Sequence, residues 1–159
     1  MNDNDDAARE VASGRVAYAA RMSTNGRCLC GAVTFAAERV EHEHHACHCG
    51  MCRRWSGGSA FLGAACEGVT FGGEESVGRF ASSEWAERGF CRHCGTTLFY
   101  FLRPTQSYTM SVGAFDDQGP FRLSREIFID KKPAGYAFVG DHERWTEAET
   151  FARLTPPSE

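Results

Sequence analysis

The chain has 159 residues, 42% of them hydrophobic, and a formal net charge of −4 at pH 7, which suits a single domain with a buried core. The acidic balance argues against a partner nucleic acid, whose binding normally requires a basic face. No run approaches the roughly 20 consecutive apolar residues of a membrane-spanning helix, and the acidic start of the chain lacks the basic segment of a secretion signal, so we expect a cytoplasmic protein with no membrane contact.

The predicted elements are mostly short strands. Residues 1–23 read as a polar tail with a weak helical pattern over Ala7–Met22. Only Trp145–Leu154 has a helical pattern in the rest of the chain. The sequence therefore predicts a mainly β fold, an antiparallel sandwich or open barrel with a short C-terminal helix. Runs separated by glycines predict strands at Ala32–Glu38, Ser59–Ala65, Gly68–Phe71, Val77–Ala81, Thr96–Arg103, Ser107–Val112 and Arg125–Asp130.

Seven of the eight cysteines fall into three clusters. Clustered thiols in a cytoplasmic protein indicate metal binding more than disulfides. A structural zinc ion takes four thiolates, whereas a reactive zinc ion keeps one position open. Seven thiolates therefore suggest two zinc ions per chain, one closed and one open. The clusters are Cys28 with Cys30, Cys47 with Cys49 and Cys52, and Cys91 with Cys94.

The closed site is predicted from the knuckle Cys91-x-x-Cys94-Gly95. Both sulfurs of such a turn face one ion, and the glycine after the second cysteine permits a left-handed step. The knuckle supplies two ligands, and Cys28 and Cys30 offer two more from about 60 residues away in the sequence. Metal bound there would close a long loop and contribute folding free energy.

The remaining cluster predicts the open site. Cys47, Cys49 and Cys52 can hold one zinc ion and leave the fourth position to water or to an incoming thiol. Metal coordination deprotonates a thiol, so such a site suits a substrate held as thiolate. Arg53 and Arg54 follow directly and could pair with the carboxylates of a peptide-like ligand.

Other interpretations of these residues stay open. All three clusters could be structural, with His45, His48 or His93 completing the second tetrahedron. Cysteines of different clusters could also form disulfides. The histidine run over 42–45 has the pattern of a solvated strand edge, and Cys66, which has no partner in the sequence, is most simply a buried small residue.

The motifs together resemble a known family. They are similar to the glutathione-dependent formaldehyde-activating enzyme family, which includes the centromere protein V domain (GFA/CENP-V). The resemblance runs from about Gly26 to Asp130. The matching segments are Gly26-x-Cys28-x-Cys30-Gly31-x-Val33, Cys47-His48-Cys49-x-x-Cys52-Arg53-x-x-Ser56-Gly57 and Phe90-Cys91-x-x-Cys94-Gly95-Thr96.

The resemblance implies an Mss4-like fold of antiparallel β-sheets stapled by zinc. The sequence as a whole is predicted to divide into a polar N-terminal tail (1–23), a zinc-binding domain (24–145) and a C-terminal extension (146–159). Glutathione is the implied co-substrate, with Arg53 and Arg54 as its candidate contacts. The implied ligands are Cys28, Cys30, Cys91 and Cys94 for a structural zinc ion, and Cys47, Cys49 and Cys52 for a catalytic one.

The resulting hypothesis is a zinc-dependent carbon–sulfur lyase that acts on a small thiol adduct. The implied reaction is the condensation of formaldehyde with glutathione to S-hydroxymethylglutathione. Two alternatives remain: a non-catalytic zinc-stabilised binding module, and a thiol-based redox or metal sensor. An enzyme needs an open position at the second zinc ion. A sensor needs reversible oxidation of Cys47, Cys49 or Cys52 while the four-thiolate site stays intact.

Overall fold

The computed structural model describes residues 23–154, which form a mainly β structure with two short α-helices. The mainly β prediction and the short C-terminal helix are therefore confirmed. The predicted polar tail (1–23) and the helical pattern within it lie outside the described residues, apart from Ser23. Within residues 23–154, no helix is long and apolar enough to cross a membrane.

Ten strands and two helices make up this part of the chain. Short 3-10 helices cover Glu74–Ser76, Val112–Ala114 and Ile129–Lys131. The helices are α1 (Gly50–Ser56) and α2 (Glu147–Leu154). The strands are β1 (Thr24–Arg27), β2 (Thr34–Val40), β3 (Glu43–Cys47), β4 (Phe61–Gly72), β5 (Val77–Ala81), β6 (Ala86–Cys91), β7 (Thr97–Leu102), β8 (Ser107–Ser111), β9 (Arg122–Ile127) and β10 (Glu143–Trp145).

The long strand β4 joins two parts of the sheet. Residues 61–63 of β4 pair with β3, and residues 66–72 pair with β2. Its other edge pairs with β8 through residues 63–66. The strand order is β10-β9-β3-β4-β8-β7-β6-β5, with β2 attached to β4 and β1 attached to β2. The predicted strands Ser59–Ala65 and Gly68–Phe71 are therefore parts of one strand.

Most neighbouring strands are antiparallel, but β9 runs parallel to both β3 and β10. Parallel neighbours need a long crossover connection, and strands β4 to β8 lie between β3 and β9 in the chain. The pairing places Ala46 opposite Glu126 and Cys47 opposite Ile127. As a result, a strand from late in the chain lies beside the cysteine segment 47–52.

The main core lies beneath the central strands. Leu98 and Phe99 are fully buried although they are consecutive residues of β7, as in a strand that is buried on both faces. The rings of Phe71, Phe99 and Tyr108 pack with centroid distances of 5.1 to 5.7 Å. A second, smaller cluster of buried residues consists of Cys47, Cys52, Phe61 and Ile127.

Helix α1 has no counterpart among the predicted elements, because its seven residues carry no apolar stripe. The helix forms because Cys49 caps it: the Cys49 Sγ accepts from the Cys52 amide at 3.4 Å. Helix α2 confirms the predicted C-terminal helix but begins at Glu147. Thr146 and Glu149 exchange side-chain to backbone hydrogen bonds there, as in a capping box.

The histidine run is not a solvated strand edge, so that prediction is wrong. Strand β3 lies between β4 and β9. His44 is buried beside Phe121, and its Nδ1 has no hydrogen-bond partner among residues 23–154. Burial lowers the pKa of His44, because the charged imidazolium would lose its hydration. The polar and charged residues of the run do not indicate that β3 is a central strand of the sheet.

We expect His44→Leu to be more stable than the wild type at pH 7 by roughly 1 kcal/mol, because it removes an unpaired buried nitrogen. Since the folded pKa of His44 lies below the unfolded one, the wild type loses stability as the pH falls below about 6.5. The difference in free energy of unfolding between His44→Leu and the wild type should therefore grow as the pH falls. Urea unfolding at several pH values between about 7.5 and 5.5 measures this difference. A constant difference across the range would contradict the burial of His44.

Candidate metal centres

The structure brings the clustered cysteines together in two groups. The four-cysteine cluster joins the turn after β1 to the turn after β6, and the cysteine triad joins the end of β3 to α1. In each group the sulfur atoms all lie within 4.8 Å of one another. The cluster consists of Cys28, Cys30, Cys91 and Cys94, and the triad consists of Cys47, Cys49 and Cys52.

The sulfur positions of the four-cysteine cluster fit a tetrahedral ion. Zn–S bonds of about 2.3 Å place the sulfurs of a tetrahedron about 3.8 Å apart. Cys30 Sγ lies 3.6 Å from Cys28 Sγ and 3.8 Å from Cys91 Sγ. All eight cysteines are free thiols, so the structure does not support disulfides between clusters.

Both turns of the four-cysteine cluster have the backbone of a metal-binding knuckle. Gly31 and Gly95 adopt left-handed φ angles of 78° and 73°, so the chain reverses directly after the second cysteine of each pair. The Val33 amide donates to Cys28 Sγ at 3.2 Å. This hydrogen bond stabilises a thiolate at that position.

Thr96 links the two turns of this cluster. Its hydroxyl oxygen accepts from the Leu29 amide at 3.0 Å and lies 3.1 Å from Cys94 Sγ. Hydrogen bonding to Thr96 lowers the pKa of Cys94 to about 5. The thiolate form, which binds metal, is therefore the stable form of Cys94 at neutral pH.

The cysteine triad forms where β3 runs into α1. Cys47 is the last residue of β3, Cys49 caps α1, and Cys52 lies within α1. Cys47 and Cys52 are each 6% exposed, whereas Cys49 is more accessible and lines an open cleft. Three thiolates with one accessible side are a donor set that suits a reactive zinc ion.

The three thiols of the triad interact as one unit. Hydrogen bonds from Cys47 and Cys52 lower the pKa of Cys49 to about 2. Hydrogen bonding to Cys49 and Cys52, together with burial, raises the pKa of Cys47. One thiolate is thus stabilised by its two neighbours, and the triad is anionic at neutral pH.

A buried arginine lies against the triad. Arg88 in β6 is 4% exposed, and both terminal nitrogens of its guanidinium lie 3.6 Å from Cys52 Sγ. Its guanidinium carbon is 4.8 Å from the ring centroid of Trp55 and 5.5 Å from that of Tyr100. No motif in the sequence indicates this residue, because it comes from a strand far from the triad along the chain.

His48 lies between two triad cysteines but its side chain enters a buried polar network. Its Nε2 donates to Glu126 Oε2 at 2.6 Å, and its Nδ1 lies 2.8 Å from the Tyr136 hydroxyl. The other oxygen of Glu126 accepts from His142 Nε2 at 2.6 Å and from Arg144 Nε at 3.1 Å. Both ring nitrogens of His48 are therefore engaged, which argues against this residue as a fourth metal ligand.

Glu126 is an ionised carboxylate at the centre of this network. Burial alone would raise the pKa of Glu126, but the hydrogen bonds from His142 and His48 outweigh burial and hold the pKa below its ordinary value. The residue is only 1% exposed. The network fastens the segment 136–144 to the loop that carries the triad.

An open cleft of about 560 Å³ lies beside the triad. Its lining includes Cys49, the arginines Arg53 and Arg54, and the rings of Phe128 and Phe151, whose centroids are 5.6 Å apart. The ion pair of Lys131 with Glu147 lines it as well. Helix α2, which belongs to the predicted C-terminal extension (146–159), therefore forms part of the cleft wall. The arginines and the aromatic rings give the cleft both cationic and apolar surface.

The two arginines predicted from the sequence differ in how they are held. Arg53 Nε donates to the His48 carbonyl oxygen at 3.0 Å, whereas Arg54 is exposed. No ion pair within residues 23–154 includes either of them. Trp55, the next residue, packs on Phe61 at 5.2 Å and does not line the cleft. The two arginines are thus available to an anionic ligand, whereas Lys131, which also lines the cleft, pairs with Glu147 and Asp130.

The other cysteine and histidine candidates lie apart from both centres. Cys66 is buried in the main core, and burial raises the pKa of its thiol to about 12, as expected for a small core residue. Neither His45 nor His93 joins the four-cysteine cluster or the triad. The alternative in which a histidine completes the second tetrahedron therefore finds no support within residues 23–154.

A mainly β chain with a four-cysteine cluster and a separate cysteine triad defines a class of cysteine-rich β proteins. Residues 23–131 match the model of the glutathione-dependent formaldehyde-activating enzyme family. The chain belongs to this family, and the resemblance recognised in its cysteine motifs is confirmed.

Proteins similar to this chain include one sequence relative and one solved structure. A protein of Schizosaccharomyces pombe, named as an uncharacterized lyase, is 33% identical over 131 residues, which cover 81% of this chain and 95% of the relative. A crystal structure of a Rhodobacter sphaeroides protein, a structural-genomics target, matches with a TM-score of 0.51 at 21% identity. That match covers 77% of this chain and 99% of the other, and it concerns the fold alone.

We expect Glu126→Ala to lower the free energy of unfolding by roughly 2–5 kcal/mol, because two buried histidines lose their acceptor. Tyr136→Phe removes the hydrogen bonds of the Tyr136 hydroxyl to His48 and to the Ser59 carbonyl oxygen, and should cost roughly 1–3 kcal/mol. Urea unfolding measures both changes.

A matched control for this prediction is Glu87→Ala. Glu87, like Glu126, is shared by more than one basic side chain: it pairs with Arg79 and Arg103. It is, however, more accessible to water than Glu126. Its loss should cost less than about 1 kcal/mol. Equal destabilisation by Glu126→Ala and Glu87→Ala would show that the buried network makes no special contribution.

Proposed function

We propose that this protein is a zinc-dependent enzyme of the carbon–sulfur lyase type that acts on a small thiol adduct. The proposed reaction is the condensation of formaldehyde with glutathione to S-hydroxymethylglutathione. In this proposal the four-cysteine cluster holds a structural zinc ion and the cysteine triad holds a reactive one. Membership of the family and the name of the Schizosaccharomyces pombe relative support the class of reaction.

The observation that carries the proposal is the position of the triad. Its three sulfurs lie within 4.8 Å of one another, and no fourth histidine, cysteine or carboxylate of residues 23–154 joins them. Cys49 faces the cleft while Cys47 and Cys52 are buried. A metal ion held there would have its remaining position on the side where a ligand can enter.

Zinc bound by the triad would keep the sulfur of an incoming thiol in its thiolate form. The side chains of the cleft then bind and orient the reactants. Arg54 and Arg53 would pair with the carboxylates of a peptide-like thiol. Phe128 and Phe151 would cover its apolar part and exclude water from that side of the cleft.

The proposed reaction is an addition without a redox change. A bond forms between the thiol sulfur and the carbon of formaldehyde, the carbonyl π bond breaks, and the thiol proton ends on the former carbonyl oxygen. Neither reactant is oxidised. Because formaldehyde and glutathione also combine without a catalyst, the contribution of the cleft is to hold them in a reactive orientation.

The four-cysteine cluster has a different role in this proposal. It joins turns that are 61 residues apart at Cys30 and Cys91. Metal binding there stabilises the fold, since the ligands of such a site are brought together only in the folded state. Its integrity is a condition for activity but its sulfurs do not line the cleft beside Cys49.

We expect the reduced wild type to hold about two zinc ions per chain and Cys52→Ser to hold about one. The variant should also lose the acceleration of S-hydroxymethylglutathione formation over the spontaneous rate. Metal analysis of the purified proteins and a rate assay with glutathione and formaldehyde measure the two effects. Cys66→Ala, which changes a cysteine outside both groups, should keep both ions.

Four results would contradict the proposal. Retention of two ions by Cys52→Ser would exclude the triad as a metal site, and loss of both would remove the division between the two centres. A wild type that leaves the triad empty when fully reduced would favour the binding-module alternative. Reversible oxidation of the triad with no effect on rate would favour the sensor.

We expect Arg54→Ala to raise the KM for glutathione roughly 5–10-fold, because one charge-assisted contact to a carboxylate is lost at an accessible position. The zinc content should not change. Arg53 is a poorer choice for this test, since its Nε also holds the His48 carbonyl. Steady-state kinetics with glutathione as the varied substrate provide the measurement.

The control for the Arg54 substitution is Arg27→Ala, which removes an exposed arginine that pairs with Asp116 and does not line this cleft. Arg27→Ala should leave the KM unchanged. An unchanged KM in Arg54→Ala would show that Arg54 does not contact the thiol substrate.

A further inference from the structure

The buried guanidinium of Arg88 has no role in the function proposed above. An arginine charge removed from water is costly unless it is paired. Within residues 23–154, none of the ion pairs with a carboxylate includes Arg88. Its charged group instead directs both terminal nitrogens at a single atom, Cys52 Sγ, at 3.6 Å each.

Aromatic rings hold the guanidinium in this position. The ring of Trp55 lies 4.8 Å from its carbon and the ring of Tyr100 lies 5.5 Å from it. Tyr100 is also the direct partner of Arg88 in the pairing of β6 with β7. The contacts favour a cation but do not neutralise it. The sulfur of Cys52 is therefore the group whose negative charge would compensate Arg88.

The charges of the site explain why such a cation is needed. Three thiolates around one Zn²⁺ ion leave a net charge of −1 on the site. Cys47 and Cys52 are buried, so water screens that charge poorly. Arg88 brings the sum of the triad, the metal and the guanidinium to zero.

We propose that Arg88 is the counter-charge of the cysteine triad: a positioning residue that holds Cys52 as a thiolate ligand and offsets the negative charge of the metal site. The proposal rests on the assignment of zinc to the triad made above. It adds a residue from outside the motifs to the machinery of that site.

The counter-charge also favours one kind of ligand in the open position. A thiolate that joins the site adds one negative charge, which would give −2 without Arg88 and gives −1 with it. A neutral ligand such as water gains nothing comparable from the guanidinium. Arg88 therefore biases the site toward an anionic thiolate over a neutral ligand.

The test compares zinc affinity at the triad in three proteins by competition with a chelator. Arg88→Met, which keeps much of the side-chain length and removes the charge, should bind zinc at the triad about 10–100-fold more weakly than the wild type. The affinity of the four-cysteine cluster should not change. Arg88→Lys keeps the charge without the planar fork and should recover most of the lost affinity.

The matched control is Arg79→Met. Arg79 also lies over an aromatic ring, with its guanidinium carbon 4.8 Å from the centroid of Phe99, but it pairs with Glu87 and Tyr108. Its substitution should leave zinc affinity at both centres unchanged. The control therefore removes the loss of a cation–π contact as an explanation for the effect of Arg88→Met.

A spectroscopic signature separates this role from packing. In the cobalt-substituted protein, Arg88→Met should shift the thiolate-to-metal charge-transfer band of the triad to longer wavelength, because Cys52 loses two hydrogen-bond donors. The difference spectrum against Cys52→Ser isolates the triad from the four-cysteine cluster. Arg79→Met should leave this band in place.

Each result of these experiments either supports or overturns the counter-charge role of Arg88. Two zinc ions in the wild type with unchanged affinity in Arg88→Met would overturn this proposal alone. Weakening of both centres to the same degree, or an Arg88→Lys variant no better than Arg88→Met, would show a packing role and also overturn it. If Arg88→Met does not fold, the affinity and the band position of Arg88→Lys carry the test. A wild type with one zinc ion would overturn both proposals.

Discussion

The meeting of two turns at the four-cysteine cluster is the constraint on which the rest of the structure depends. Strand β6 ends at Cys91, so the position of this strand is tied to the cluster. Arg88 lies in the same short strand and contacts Cys52 of the triad. A slip of one residue in the pairing of β6 would turn Arg88 to the opposite face of the sheet. The two cysteine groups share no residue, but both depend on the register of β6, which carries Cys91 of one group and the Arg88 that contacts the other.

The same alternation of strand residues separates the charges around the triad. Cys47 and His48 are consecutive, as are Ile127 and Glu126 on the neighbouring strand β9. Cys47 packs with Ile127 in an apolar cluster, whereas His48 meets Glu126 in the polar network. The triad and Glu126 are both anionic, and like charges brought close in a buried region repel strongly. The negative charge of the triad faces Arg88, whereas the Glu126 carboxylate accepts hydrogen bonds from His48, His142 and Arg144.

Sequence patterns predict well those features that are local along the chain. The spacing within each cysteine group indicates which residues share a turn, and the count of seven divides them into four and three. The glycine-separated runs predict β5 with its bounds and β7 within one residue at either end. Helix α1 is missed because its seven residues carry no apolar stripe. Other missed features depend on distant partners: β3 is a central strand although it contains consecutive histidines, and Arg88 is buried although most arginines are exposed. A local pattern treats such polar residues as solvent-facing.

The segment after residue 131 shows how far the site extends beyond the motifs that identify the family. The family model ends at residue 131, but Tyr136, His142 and Arg144 complete the network that holds His48 and Glu126. Phe151 of α2 lines the cleft beside Cys49. The sulfurs and Arg88 lie in the matched part of the chain, whereas much of what surrounds them does not. A substitution after residue 131 can therefore alter the wall that a thiol meets while the sulfur positions remain fixed by β3, α1 and β6.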